Sequence, residues 1–413
     1  MSHPSGQATM LEGLRCRVCE TAFPAIPSGA CPRCFGPLEP VYDWDALAAV
    51  VSRERIEAGP PSLWRYGPLL PASAPEGADR APGWTPLVSA PRLAAALGVG
   101  EALLKLDHTN PTHSFKDRVV AVATAKALEF GLDTLACAST GNLANAVAAR
   151  AAAGGLRAVV LCPAGIEPEK LLATTVYGAS VYAVLGSYDD CSRMVVELAG
   201  ETDWAFVNVN LRAYYAEGSK TLAFEIAEQL GWESPDAVVA PVASGALFTK
   251  LWQGFAQFRR LGLADGPPPR MYGGQAAGCS PVARAFDDER PVSPVRPATV
   301  AHSLAIGNPA DGDLAVATAR TSSGAIYAVP EEDVGPNMQL LASTAGIFGE
   351  TAAGVTIGAL RAAAASSAIG ESDRVVALVT GTGLKTPQAV EGGRIVEIDA
   401  DVDELLADLG VLA

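Results

Sequence analysis

Short apolar runs alternate with longer stretches of helical periodicity along most of the chain. The apolar runs predict β-strands at residues 134–138, 158–162, 180–185, 205–210, 237–241, 270–273 and 375–380. Helical spacing of apolar residues lies between them, at residues 143–153, 221–230 and 247–261. This alternation predicts parallel sheets covered by helices on both faces. Because ligands bind beyond the carboxyl ends of strands in such sheets, the loops after these runs are the candidate sites.

Two segments in the first third of the chain lack this alternation. Residues 1–13 are polar and without pattern, so we expect an unstructured tail. Residues 57–86 are rich in Pro, Gly, Ala and Ser, which predicts a wrapping arm or linker.

The uncharged run 171–188 is interrupted by Gly178 and Gly186, so we interpret it as a helix end followed by a buried strand.

Composition and charge narrow the classes of function. Of the 413 residues, 49% are hydrophobic and 18% are charged, so the chain can bury a sizeable core. Acidic residues outnumber basic ones 45 to 30, and a net charge of −15 argues against a broad surface for nucleic acid. No basic segment followed by an apolar one is visible at the N-terminus. We therefore expect a cytoplasmic protein that binds neither nucleic acid nor a membrane.

Four of the eight cysteines lie in two closely spaced pairs. Two residues separate Cys16 from Cys19 and also Cys31 from Cys34, and eleven residues lie between the pairs. Two such pairs allow four thiolates to converge on one tetrahedral zinc ion, whereas unrelated thiols are the alternative interpretation. Because four protein ligands leave no open position for a substrate, we predict a structural Zn²⁺ in a small zinc ribbon.

One lysine lies at the predicted start of a helix. In the segment NPTHSFKDR, Ser114 is a candidate N-cap, which places Lys116 in the first turn of a helix that continues to about Phe130. The positive end of the helix dipole disfavours an ammonium group and favours the neutral amine that a Schiff-base lysine needs. On position alone, a solvated surface lysine is the commoner case.

Three of the predicted strands end in turns of small residues. Backbone N–H groups in STGN, residues 139–142, are suited to a carboxylate, and Asn142 adds a neutral donor for a phenolate oxygen. In VASGAL, the amides of residues 244–247 are suited to a phosphate. The third turn, TGTGLKT at residues 380–386, does not match a P-loop. A capped helix without any ligand is the alternative interpretation of the STGN turn.

The order of these features resembles that of the fold-type II pyridoxal-phosphate enzymes, which have a tryptophan synthase β-like α/β fold, and most closely that of the threonine synthase family. NPTHSFKDR is similar to the family's lysine segment and STGN to its loop for the substrate carboxylate. NVNLRAYYAEGSKT, VASGALFTK, SLAIGNP, GIFGETAAGVT and TGTGLKT follow in the family's order. The resemblance covers nearly the whole chain and implies two parallel-sheet α/β domains behind an N-terminal zinc ribbon.

The same resemblance implies domain boundaries and an assembly. The tail and zinc ribbon would occupy residues 1–45. A large domain that binds pyridoxal 5'-phosphate would combine residues 46–130, including the arm, with residues 216–413. A small α/β domain would occupy residues 131–215. We also expect a homodimer.

The resemblance further implies roles for individual residues. Lys116 matches the catalytic Schiff-base lysine, Phe115 its neighbour against the cofactor ring, and Asn142 the donor to the phenolic oxygen. Thr380 matches the hydroxyl that faces the pyridine nitrogen, which leaves that nitrogen largely unprotonated. The cofactor-phosphate loop would consist of Ala243, Ser244, Gly245, Ala246 and Leu247. The substrate-carboxylate loop would consist of Ser139, Thr140 and Gly141.

The implied reaction is that of a carbon–oxygen lyase, in which O-phosphohomoserine and water give L-threonine and phosphate. Lys116, released from the cofactor by the substrate, would move protons among Cα, Cβ and Cγ. The substrate's own phosphate needs a second anion pocket. The candidates for it are Ser187, Arg193, Asn210 and Lys220. For the two basic residues, a surface ion pair is the alternative interpretation.

Two positions depart from the family's pattern and leave other functions open. His113 stands where related enzymes often have Gly or Leu, and Leu143 stands where many have a Thr that can reach the substrate phosphate. A β-replacement or elimination enzyme of the same fold, such as a cysteate synthase or a threonine or serine dehydratase, is therefore an alternative. A non-catalytic zinc-ribbon protein that binds nucleic acid or a partner is another, against which Lys116 and the acidic net charge argue.

Overall fold

The computed structural model describes residues 9–75, 81–139, 141–166, 168–392 and 395–409. Its strands are β1 (Leu11–Cys16), β2 (Ala22–Phe23), β3 (Leu38–Tyr42), β4 (Leu87–Ser89), β5 (Glu101–Leu106), β6 (Thr134–Ala138), β7 (Arg157–Pro163), β8 (Ser180–Val184), β9 (Ala205–Phe206), β10 (Ala237–Pro241), β11 (Arg270–Ala276), β12 (Ala325–Val329) and β13 (Arg374–Val379). Its helices are α1 (Trp44–Val50), α2 (Arg53–Glu57), α3 (Pro91–Leu97), α4 (Lys116–Glu129), α5 (Asn142–Ala153), α6 (Pro168–Thr175), α7 (Tyr188–Glu201), α8 (Arg212–Glu217), α9 (Thr221–Gln229), α10 (Ala246–Arg260), α11 (Pro281–Asp287), α12 (Gly312–Thr321), α13 (Glu331–Ala345), α14 (Thr351–Ala365) and α15 (Val402–Asp408).

The first three strands form a small antiparallel sheet in the order β2-β1-β3. β1 begins at Leu11, so the expectation of an unstructured tail up to residue 13 is wrong for its last residues. Leu14 and Cys16 are buried in the core that this sheet shares with the rest of the protein, and this burial stabilises the strand. The first eight residues of the expected tail lie outside the described residues.

The described residues of the Pro- and Gly-rich arm, 57–75 and 81–86, are folded, and about half of them are buried. It contains the end of α2 and a 3₁₀ helix at Leu63–Leu69, every residue of which is buried. Leu63, Trp64 and Leu70 pack against Ala121 and Val122 of α4. The segment is therefore a wrapping arm that contributes to the core, because its few large apolar residues cover one face of α4.

The larger sheet has six strands in the order β12-β11-β10-β13-β5-β4, and β4 is antiparallel to β5 while the other pairs are parallel. All five residues of β10 are buried, as expected for a central strand with helices on both faces. Val238 and Ala240 face the core formed with α9 and α10. Ala237 and Val239 face the opposite core, formed with α13 and α14. The predicted layered α/β architecture is confirmed.

The smaller sheet is parallel, with four strands in the order β8-β7-β6-β9. Helix α4 packs onto it, since Val119 and Val120 share a core with Leu135 and Val147. β8 forms the edge of the sheet and its residues are exposed or half-buried, so the expectation of a buried strand there is wrong. β9 comprises two residues rather than the six expected, because the chain turns toward α8 after it.

The fold brings three chain segments together at one edge of the larger sheet. β5, β13 and β10 are neighbouring parallel strands, so their carboxyl ends lie side by side. Ser114 pairs with Gly381 in an antiparallel bridge, and the backbone N–H of Phe115 donates to the carbonyl of Thr380 at 2.9 Å. In the part of the chain that the structure describes, no helix has both the length and the apolar character needed to cross a membrane.

Candidate active site

The lysine segment is held in place by hydrogen bonds to the Asp117 carboxylate and by the backbone contact between Ser114 and Gly381. The Asp117 carboxylate accepts from the backbone N–H and from the hydroxyl of Thr112, at 2.7 and 2.9 Å. The expectation that Ser114 caps the helix is wrong, since Phe115 is the N-cap residue and Lys116 begins α4. The backbone of Ser114 is engaged with Gly381, and its buried hydroxyl finds no hydrogen-bond partner among the described residues. The N-cap differs from the prediction by one residue, but Lys116 lies in the first turn as predicted.

The amine of Lys116 lies between two aromatic side chains. Its Nζ atom is 3.3 Å from the hydroxyl of Tyr215 and 4.7 Å from the ring centre of Phe115. Burial lowers the pKa of Lys116 to about 8, although the carboxylate of Glu350 opposes this change. The side chain is half-buried, so a ligand can reach it. The site thus holds a partly desolvated amine whose pKa of about 8 lies well below that of a free lysine.

Two side chains from distant segments form hydrogen bonds with Asn142, the first residue of α5. Lys385 Nζ donates to its Oδ1 atom at 2.8 Å, and its Nδ2 atom donates to Glu350 at 2.9 Å. The hydroxyl of Thr380 lies 3.4 Å from the other oxygen of Glu350. Burial raises the pKa of Glu350 and lowers that of Lys385, so each group favours its neutral form more than it does in water. A side chain at Gly381 would overlap the Glu350 carboxylate, which explains glycine at that position.

A buried cluster of charged residues anchors α4 directly behind the lysine. The Arg118 guanidinium binds both oxygens of Asp107, at 2.7 and 2.8 Å, and also binds Glu225. Lys105 pairs with Glu225 at 2.7 Å. Although burial alone would raise the pKa of Glu225, Arg118 and Lys105 lower it to about 2. Because two cations neutralise two carboxylates, this cluster fixes the start of α4 without leaving an unpaired buried charge.

The turn after β10 presents the N-terminus of α10. Gly245 has a φ of +92°, and a Cβ there would lie 2.5 Å from the carbonyl oxygen of Asp311. The backbone N–H of Asp311 donates to the carbonyl of Ser244 at 2.9 Å, which braces the turn. The first backbone N–H groups of a helix have no partner within it and favour an anion. The turn therefore has the form of a phosphate cradle.

The loop after β6 is short and follows the end of the smaller sheet. Ser139 donates its backbone N–H to Leu161 on β7, and its hydroxyl accepts from the N–H of Gly141 at 3.2 Å. Thr140, the middle residue of the predicted substrate-carboxylate loop, lies outside the described residues. Leu143 is buried among apolar residues, so its side chain contributes to packing. His113, the other departure from the family's pattern, is exposed and has a φ of +61°.

Of the residues predicted for the second anion pocket, Ser187 precedes α7 and Arg193 lies on it. Ser187 caps this helix, accepting from the N–H of Asp190 while its own N–H donates to the Asp190 carboxylate. The side chain of Arg193 is 60% exposed and pairs with Glu197 at 2.8 Å and with Asp190 at 3.5 Å. Tyr188, next to Ser187, donates to the carbonyl of Ala138 at the end of β6. This arrangement makes Ser187 the N-cap of α7 and gives Arg193 the ion pair of an ordinary surface residue.

The other two predicted residues lie on either side of α8. Asn210 donates to the carbonyl of Trp204 at 2.9 Å. Lys220 is fully buried, with its Nζ atom 2.5 Å from Glu217 and 4.3 Å from the ring centre of Tyr42. The Lys220 ammonium is already paired with Glu217 inside the protein, and burial lowers the pKa of Lys220 to about 8. This placement corrects the expectation that Lys220 binds the substrate phosphate.

The four clustered cysteines have the geometry of a metal site. Their sulfur atoms all lie within 4.8 Å of one another, with 3.4 Å between Cys16 and Cys34 and 3.7 Å between Cys19 and Cys31. Tetrahedral zinc with Zn–S bonds of about 2.3 Å requires sulfur atoms about 3.8 Å apart. The pKa of the Cys16 thiol is lowered, mainly because the backbone N–H of Cys19 donates to it. The donor set therefore fits a four-sulfur metal site.

Sequence reasoning missed several residues that the structure brings to the site. Tyr215 lies within NVNLRAYYAEGSKT, Glu350 within GIFGETAAGVT and Lys385 within TGTGLKT, so the segments were recognised but these side chains were not. A signal was present for Glu350 and Lys385, since each is a charged residue directly after a run of small or apolar residues. Tyr215 had none, because an aromatic residue in a helix is most often a core residue.

Comparison with known proteins identifies the family. The profile of the family described as "Pyridoxal-phosphate dependent enzyme" matches residues 78–381. The chain is 36% identical over 363 residues to the threonine synthase of Methanosarcina acetivorans, covering 87% of this chain and 88% of the relative. It is 35% identical over 378 residues to that of Methanocaldococcus jannaschii, covering 90% of this chain and 93% of the relative.

Solved structures of lower identity share the fold. Maize serine racemase superposes with a TM-score of 0.61 at 20% identity, covering 79% of this chain and 92% of that structure. Diaminopropionate ammonia lyase from Escherichia coli gives 0.62 at 21% identity, covering 74% and 86%. The two threonine synthases each match over more than four-fifths of both chains. The chain therefore belongs to the pyridoxal-phosphate-dependent enzymes and, within them, to the threonine synthase family.

Proposed function

We propose that this enzyme converts O-phosphohomoserine and water into L-threonine and phosphate. The observation that carries the proposal is the half-buried amine of Lys116, with a pKa lowered to about 8, at an edge where the family's cofactor-binding segments converge. Such an amine can take up and return a proton at the pH of the cell. Relatives named threonine synthase, matched over most of their length, support this substrate over others of the same fold class.

The residues at the site fit pyridoxal phosphate. Lys116 supplies the amine for its aldehyde, the amide of Asn142 has a second hydrogen for a phenolic oxygen, and Thr380 supplies a hydroxyl. The turn at Ser244 and Gly245 offers unpaired helix N–H groups to its phosphate. When bound, the cofactor supplies an electron sink that stabilises negative charge developing on the substrate carbons.

The chain's own groups then account for the movement of protons. In the overall reaction the Cγ–O bond breaks and phosphate leaves with the electron pair, while water adds its oxygen at Cβ. Cβ loses one hydrogen and Cγ gains one. A base that removes a proton from Cβ must therefore be close enough to deliver a proton to Cγ. Lys116 is suited to this role, and the hydroxyl of Tyr215, 3.3 Å from its Nζ atom, orients the amine.

We propose that the substrate phosphate lies on the α7 side of the site. Ser187 at the N-cap of α7 remains a candidate ligand, because its neighbour Tyr188 contacts the carbonyl of Ala138 beside the carboxylate loop. Asn210 remains a second candidate. Arg193 would need to exchange its surface carboxylate partners for the phosphate in order to take part.

We also propose that the cysteine cluster holds one structural Zn²⁺. The sulfur-to-sulfur distances of 3.4 and 3.7 Å are close to those of tetrahedral zinc coordination. All four positions would be filled by protein ligands, so the ion would stabilise the ribbon rather than act on substrate.

The test is a substrate competition on the purified enzyme. Phosphate release and threonine formation are measured with O-phosphohomoserine, and turnover is compared with that of O-phosphoserine plus sulfite, of threonine and of serine. We expect O-phosphohomoserine to give the highest kcat/KM, with equal amounts of phosphate and threonine. Lys116→Ala is the matched inactive control. A higher kcat/KM with O-phosphoserine and sulfite, or with the unphosphorylated amino acids, would contradict the proposal.

A further inference from the structure

The zinc ribbon is tied to the rim of the active site by one arginine. Arg17 lies between the first two clustered cysteines, and its guanidinium reaches the Asp311 carboxylate at 3.1 Å, across 294 residues of sequence. The side chain of Asp311 is only 6% exposed. Its other oxygen binds Arg212, the first residue of α8. A carboxylate so far removed from solvent gains more from an ion pair than a surface carboxylate does.

Asp311 is also the residue that braces the proposed cofactor-phosphate loop. Its backbone N–H donates to the carbonyl of Ser244, and its carbonyl oxygen occupies the space beside Gly245. A shift of Asp311 therefore displaces the turn that orients the first N–H groups of α10. Because Arg17 and Arg212 hold its side chain from two directions, the position of this turn depends on where the ribbon lies.

Two further contacts fix the ribbon on the same surface. Glu39 on β3 pairs with Lys250, one turn into α10, and its other oxygen lies 3.5 Å from Arg17. A side chain at Gly29 would overlap the carbonyl of Val209, so the ribbon packs closely against the segment before α8. The ribbon thus contacts both the helix that starts at the phosphate loop and the segment that leads to Tyr215.

We propose that Arg17 is a positioning residue through which the metal-loaded ribbon stabilises the cofactor-phosphate loop, so that metal binding and cofactor binding strengthen each other. Four thiolates bound to one ion fix the knuckle that carries Arg17, whereas a metal-free knuckle leaves its guanidinium free to move. Two sites that bias the same element must affect each other's affinity reciprocally. This inference rests on the proposed zinc site and cofactor loop, and it is independent of which amino acid is the substrate.

The experiment measures the dissociation constant of pyridoxal phosphate for zinc-loaded enzyme from which the cofactor has been removed. For Arg17→Met we expect binding about 5- to 20-fold weaker than in the unmodified enzyme. The matched control is Arg33→Met, which alters the exposed arginine of the second cysteine pair and should change the constant by less than about 2-fold. The ³¹P resonance of the bound cofactor should shift in Arg17→Met, a change that a loss of overall stability would not cause.

Two further measurements test whether the effect of Arg17 on cofactor binding depends on Asp311 and on the metal. Asp311→Asn keeps the backbone bond to Ser244 but removes the charge, so adding Arg17→Met to it should weaken cofactor binding no further. Removing zinc with a chelator should weaken cofactor binding in the unmodified enzyme and have a clearly smaller effect in Arg17→Met, where only the Glu39 contact with α10 is left to lose. If Arg17→Met fails to fold, Arg17→Gln, which also removes the positive charge, and the chelator measurement give the same comparison.

The outcomes distinguish failure of this inference from failure of the proposed function. An unchanged dissociation constant in Arg17→Met, or a zinc effect of equal size with and without Arg17, would overturn the inference. A raised KM for O-phosphohomoserine with unchanged cofactor binding would also overturn it, because Arg17 and Arg212 would then serve the substrate anion. Since no substrate is present in the binding assay, an enzyme that makes no threonine would still give a clear result.

Discussion

Lys385 donates from its Nζ atom to the Oδ1 atom of Asn142 over 2.8 Å, although the two residues are 243 positions apart. This contact fixes which end of the amide is the donor, because the ammonium binds the oxygen and leaves the NH₂ group facing Glu350. One hydrogen of that group is used by Glu350, and the other remains for a ligand. Lys385 and Glu350 together thus determine the orientation of the proposed phenolate donor.

Replacing Lys385 by methionine should therefore impair the enzyme without removing a group that reacts. A charge-assisted hydrogen bond contributes about 1.5–3 kcal/mol, so we expect kcat to fall about 10- to 100-fold. The visible absorbance maximum of the bound cofactor should shift, because its phenolic oxygen loses a fixed donor. Leu384→Ala, at the exposed neighbouring position, is the control. A normal spectrum and normal kcat in Lys385→Met would show that Asn142 is oriented by Glu350 alone.

The lowered pKa of Lys116 predicts how cofactor loading depends on pH. Burial favours the neutral amine, so its pKa falls from the ordinary 10.5 to about 8. The neutral fraction, and with it the rate at which the cofactor-free enzyme combines with pyridoxal phosphate, should rise between about pH 7 and 9 and then level off. Glu350→Gln removes a carboxylate that raises this pKa, so its curve should move to lower pH. A rate that keeps rising toward pH 10.5 would contradict the burial of this amine.

Local patterns predicted much of the fold but little of the contact between distant segments. The bounds of β6 and β10 match the sequence prediction, because each is an apolar run closed by a turn of small residues. β12 was missed, since AIYAV is brief and half-exposed at the sheet edge. Long-range pairs such as Arg17 with Asp311 leave no periodic signal. Lys220 was misjudged for a related reason, since its burial depends on how α10 and β3 pack around α8.

Loss of metal should unfold the ribbon before the rest of the enzyme. Cys19→Ser is expected to lower the metal content from about one zinc per chain to nearly none, because a hydroxyl is a poor substitute for a thiolate ligand. Metal analysis and the Tm of the first thermal transition are the measurements. Cys279→Ala, which removes a buried thiol outside the cluster, should retain the metal. Full zinc content in Cys19→Ser would show that the metal site is not the cluster of four cysteines.

Replacing Lys220 should lower the stability of the enzyme more than replacing Arg193. Lys220→Met leaves the buried Glu217 with Lys250 as its remaining cation, so we expect the free energy of unfolding to fall by about 3 kcal/mol. Arg193→Met breaks only exposed pairs and should cost less than about 1 kcal/mol. Denaturant unfolding measures both values, and KM for O-phosphohomoserine is determined in parallel.

In Lys220→Met, KM should stay near normal at temperatures where the enzyme is folded, because the ammonium is enclosed between Glu217 and Tyr42. A tenfold higher KM with unchanged stability would instead return Lys220 to the substrate site.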